Sequence, residues 1–146
     1  MAARFTKEAA MALPVEHALI HLMVVAAAAD HTGIGDIELK RIGILVAMVP
    51  VFAGFDGSTL AGVINACVDR VNEPAGLEAV LDSAIAVLPE RLQDTAYALA
   101  VEVTAADLRL EQEELRLLEM IRDRLDLDRL TTAAIETAAR ALHRKA

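Results

Sequence analysis

The chain has 146 residues, enough for one domain with a hydrophobic core and too few for two. It is 55% hydrophobic but only 3% aromatic, with no Trp, so Ala, Leu, Val and Ile must build the core, which suits close-packed helices. The net charge of −8, from 14 basic and 22 acidic residues, argues against nucleic acid and anionic membrane surfaces as partners.

Apolar periodicity with Pro and Gly punctuation predicts an all-α, single compact domain (1–146) of about seven to eight helices, with residues 1–13 as a loosely ordered N-terminal arm. Pro14 opens the first long helix, expected to run to about Asp30, and a loop follows from His31 to Gly35. The next helix covers Asp36 to Val49 and stops there because Pro50 disfavours helical geometry in its predecessor. Asp56 is the expected N-cap of a helix reaching Asn72, and Pro74 is expected to start another that ends near Leu88. Pro89 opens a helix to Asp107, a short turn leads to Gln112–Leu125, and Leu127 or Asp128 begins the last helix. In Gln112–Leu125 the residues Leu115, Leu118, Ile121 and Leu125 mark the inward face, while Glu113, Arg116, Glu119 and Asp123 mark a solvated one.

No segment reads as a membrane span. The longest apolar run, from Ile42 to Phe55, is shorter than the ~20 residues required and contains Gly43, Pro50 and Gly54. Glu8 and Glu16 spoil a signal-peptide core, and a single cysteine, Cys67, excludes an internal disulfide framework. A cytoplasmic protein without membrane insertion is expected, as a monomer or homodimer.

Two stretches echo one another: "AAADHTGIGDIELKRI" from Ala27 and "TAADLRLEQEELRLL" from Thr104. With Asp30 set on Asp107, Glu38 meets Glu114, Leu39 meets Leu115, Lys40 meets Arg116 and Ile42 meets Leu118, apart from one extra residue in the first turn. The ordered set of matches predicts two related helix–turn–helix units.

An Asp at a helix C-terminus faces the negative end of the macrodipole, which disfavours it by roughly 0.3–1 kcal/mol when exposed. Its recurrence has two readings. Asp30 and Asp107 cap amides of their turns, while Glu38 and Glu114, near the third position of the following helix, cap its start. Alternatively, the four carboxylates gather a divalent cation (Ca, Mg, Mn or Zn), since hard ions prefer such oxygen ligands. His31 and Glu102 are further candidates for that set. The turn is not an EF-hand: Gly35 falls on the sixth place from Asp30, but Ile34 takes a ligand place and Arg41 stands where the bidentate Glu belongs.

His17 and His21 sit at zinc-compatible spacing, but "HALIH" lacks the Glu of metalloprotease helices, and both read as core-edge or surface residues. Cys67, Ser58 and Thr59 lack the local base that nucleophilic catalysis needs, and no Gly-rich nucleotide loop is present. The chain is therefore expected not to be an enzyme.

The repeated Ala-Ala-Asp, gap and helix-start Glu, together with "LPERLQDTAYALAVEVTAADLRLEQEELRLLEMIRDRLDLDRL", resembles the tellurite-resistance TerB family, in a bacterial branch. The resemblance covers about Ala18 to Arg140. His31 and Leu108 stand where family members usually carry Gly. It implies an all-α domain whose acidic residues bind divalent metal or form an interaction surface, and points to Asp30, Glu38, Asp107 and Glu114. The expected role is a non-enzymatic, cytoplasmic, stress-associated module with an acidic metal site. The alternative is a scaffold whose acidic patch docks an unknown basic protein without metal.

Overall fold

The computed structural model describes residues 13–28, 34–105 and 112–146, the side chains of 112–115 excepted. The predicted N-terminal arm, apart from Leu13, lies outside these residues. The described chain is all-helical, with seven α-helices: α1 Val15–Ala27, α2 Asp36–Met48, α3 Leu60–Val71, α4 Gly76–Val87, α5 Gln93–Ala105, α6 Gln112–Arg124 and α7 Arg129–Leu142. Short 3-10 turns at Pro50–Phe52, Gly57–Thr59 and Glu90–Leu92 join them. None of the described helices is long and apolar enough to cross a membrane.

The core is built around α1. Its sequence is apolar on every side, and each residue from Ala18 to Ala27 is buried, as expected of a helix without a polar face. It packs against α3, α4, α5 and α6. The second central helix, α5, buries Ala96, Tyr97, Leu99, Ala100, Val101, Val103, Thr104 and Ala105, and packs on α1, α2 and α7. The amphipathic face predicted for α6 is present, with Leu118, Ile121 and Leu125 buried and Arg116, Glu119 and Asp123 exposed; Leu117 joins the core as well.

Several helix ends follow the expected local chemistry. The Asp56 carboxylate accepts from Ser58 N at 3.0 Å and from Ser58 Oγ at 2.7 Å, while Asp128 accepts from Thr131 N at 2.7 Å. These hydrogen bonds hold both carboxyls below their ordinary pKa, led by the Ser58 hydroxyl at Asp56 and by the Thr131 amide at Asp128. Pro50 ends α2 as predicted, with Val49 extended before it.

Two boundaries differ from the sequence expectation. The first helix ends at Ala27, three residues short of Asp30, because Ala28 leaves helical geometry while its N–H bonds Val24 O and Val25 O. The fourth helix begins at Gly76 instead of Pro74. Residues 73–76 form a turn closed by Gly76 N donating to Glu73 O at 2.8 Å, in which Ala75 takes a left-handed conformation (φ 56°).

That conformation costs an L-residue roughly 1–2 kcal/mol, part of which glycine regains at the expense of a more disordered unfolded chain. Ala75→Gly is therefore expected to stabilise the fold by up to about 1 kcal/mol, read as a raised urea midpoint at constant m-value.

Candidate functional site

The two predicted helix–turn–helix units are α1–α2 and α5–α6. Their leading helices pack on each other, and each second helix crosses onto the other unit's leading helix, α2 on α5 and α6 on α1. Matched residues share their environments: Ile42 and Leu118 are buried, Lys40 and Arg116 exposed. This reciprocal packing is what two related units produce.

Of the candidate ligands, Asp30, His31 and Asp107 lie outside the described residues, and Glu114 is described only as a backbone position in α6. Glu38 is described fully. It stands third in α2, and its carboxylate folds back over Gly35, where a side chain on the glycine would collide with Glu38 Oε2. This suits a carboxylate at the positive end of a helix.

Glu102 is engaged elsewhere. Its Oε2 accepts from Arg41 at 2.6 Å and from His143 Nε2 at 2.9 Å. Burial works to raise its pKa, yet the hydrogen bonds and charges of His143 and Arg41 outweigh it and hold the carboxyl below its ordinary value. Glu102 thus ties α5 to α2 and to the end of α7. Arg41, the residue that broke the EF-hand pattern, supplies one half of that tie. Its buried Nε has no partner among the described residues.

The ion pair joins α2 to α5. Arg41 lies five residues into α2, and Glu102 three residues before the end of α5. At 1.5 Å per residue, each helix end is within about 8 Å along its axis of the pair. Among the described residues, no three His, Cys, Asp or Glu side chains gather where they could hold a metal ion.

A second polar group joins α5, α6 and α7. Tyr97, almost fully buried, donates its hydroxyl to Glu136 Oε2 at 2.5 Å, and Arg122 reaches the same oxygen at 3.3 Å. Burial, then the adjoining carboxylate, pushes the Tyr97 pKa upward, so the phenol remains a donor. The three groups border a small cavity of about 110 Å³ whose apolar wall includes Val101, Ala105, Leu118 and Ala139. Sequence reasoning missed this network. The available signal was a lone Tyr in an apolar helix, since a buried phenol needs a hydrogen-bond partner.

His21 is buried in the core instead of standing at its edge, and its Nδ1 has no partner among the described residues. Desolvation, then the charges of Arg70 and His17, lowers its pKa to about 4. His17 sets its ring edge-on to Phe55 at 5.8 Å between centroids. The Cys67 thiol is buried and pushed up to about 12 by desolvation, which leaves it protonated and unreactive. No protein-family model, curated protein or solved structure was found to match the chain.

Proposed function

We propose that the chain is a non-enzymatic binding module whose paired acidic turns take a divalent cation. The observation that supports this reading most directly is the Arg41–Glu102 ion pair, which ties the first half of α2 to the last turn of α5, the two helices that flank the acidic turns. Asp30 and Glu38 from one unit, and Asp107 and Glu114 from the other, supply oxygen ligands suited to calcium, magnesium or manganese, with zinc as the softer alternative. Binding screens four like charges and stabilises the folded state by mass action. The motif resemblance to the TerB family supports a role in a cytoplasmic stress response.

Calorimetric titration with calcium, magnesium, manganese and zinc is the test. The expected result is saturable heat with at least one cation, and a rise in melting temperature that the double substitution Asp107→Asn and Glu114→Gln removes. No heat and no shift would overturn the cation reading.

The fold-back of Glu38 over Gly35 favours a second reading, in which the carboxylates cap their helices and the acidic surface docks a basic protein. That reading predicts salt-sensitive capture of a basic partner, unaffected by chelator.

A further inference from the structure

The helix α2 is exposed where its sequence is apolar all round. Ile37, Ile44 and Met48 recur at spacings of seven and four, which lines them along its outer face, and they are 56%, 41% and 75% exposed. Gly43 and Ala47 flank this stripe, and a side chain on Gly43 would meet nothing within 4 Å. The last two turns, "IGILVAM", carry no charge, a pattern that belongs to a helix covered on both sides. Beyond them, Met48, Val49, Pro50, Phe52, Phe55 and Leu60 border a groove of about 450 Å³ whose walls are formed by backbone as well as by apolar side chains.

Charge identifies the occupant. From Leu39 to Phe55 the chain has no acidic residue, although it carries 22 in all, so two copies that meet through this part of α2 bring no carboxylates of that stretch together. The last turn of α2 has no basic residue to offset the negative end of its dipole, while Lys40 stands exposed one turn before Ile44. An antiparallel second α2, crossing at Ile44, sets each Lys40 beside the other copy's uncompensated last turn.

We propose that this protein forms a two-fold homodimer through the outer face of α2, with Ile44 at the axis and each Lys40 beside the last turn of the other copy's helix. The interface is separate from the acidic turns and does not depend on their binding a cation.

Sedimentation velocity on the full chain from roughly 5 to 500 µM tests it. The expected result is a reversible monomer–dimer equilibrium that Ile44→Lys and Ile37→Lys each weaken at least about tenfold, with thermal melts at low concentration unchanged. Lys40→Glu leaves the apolar stripe whole and is expected to weaken the dimer most at low salt. A monomer throughout the range overturns the proposal, as does a dimer that the two isoleucine substitutions leave intact. A dimer indifferent to Lys40→Glu contradicts the antiparallel arrangement.

Discussion

Gly76→Ala is expected to destabilise the fold by about 3 kcal/mol or more, lowering Tm by roughly 10 °C. Gly76 is the first residue of α4 and is buried. A Cβ there would overlap the Arg70 carbonyl oxygen, with the carbonyl carbon at 2.9 Å and Val71 O at 3.0 Å. These are backbone atoms at the end of α3, so no rotamer change can relieve the clash. Either α3 and α4 separate or the turn between them unwinds, and both helices pack on α1. The glycine stands at 76 because space demands it, even though its neighbour Ala75 bears the left-handed φ. Differential scanning calorimetry of Gly76→Ala checks this, and a melt within about 1 °C of the parent would contradict the packing described.

Acidification should expose His21. Its pKa is about 4 in the folded chain against an ordinary 6.5, so it folds neutral. Above pH 6.5 both states are neutral at this ring and stability is at its full value. Between 6.5 and 4 the unfolded chain takes up a proton that the folded chain refuses, so stability falls as pH falls. The loss is about 2–3 kcal/mol, solvent screening allowed for, and levels off below pH 4. His21→Leu removes the titration, so its stability should be nearly flat over this window. The lowered Glu102 pKa acts in a separate window: its contribution is present above its ordinary value near 4.5 and is lost as pH falls through the folded pKa. Urea denaturation at intervals from pH 7.5 to 4 separates the two, and an equal slope in parent and His21→Leu would contradict the assignment.

The parts of this fold legible in the sequence are those set by local chemistry. Pro50 and the Asp56 cap act through neighbours at most three residues away, so their positions could be read directly. The repeat was legible because matched spacing survives in the chain, and the crossed packing of α1–α2 and α5–α6 is its physical counterpart. The start of α4 was misjudged because Pro74 suits a first helical turn, while the Arg70 carbonyl that forces glycine at 76 belongs to another helix.

Long-range partners set the rest. Glu102 read as a free acidic neighbour of Asp107, but Arg41 lies 61 residues away and His143 lies 41 away in the other direction. His21 read as an edge residue because one helix turn cannot reveal that several helices pack around α1. The outer face of α2 was hidden for the opposite reason: an apolar run reads as core, and only the structure leaves Met48 and Ile37 uncovered.

The central claim is that the two acidic turns act as one cation site, and manganese tests it most directly. Mn²⁺ added in small amounts broadens the amide resonances of residues near it. If one ion is shared, the amides of Gly35 to Glu38 and those of Ala105 and Gln112 should broaden together, at the same metal concentration, and recover on addition of chelator. Broadening confined to one turn, or absent from both, would contradict the account.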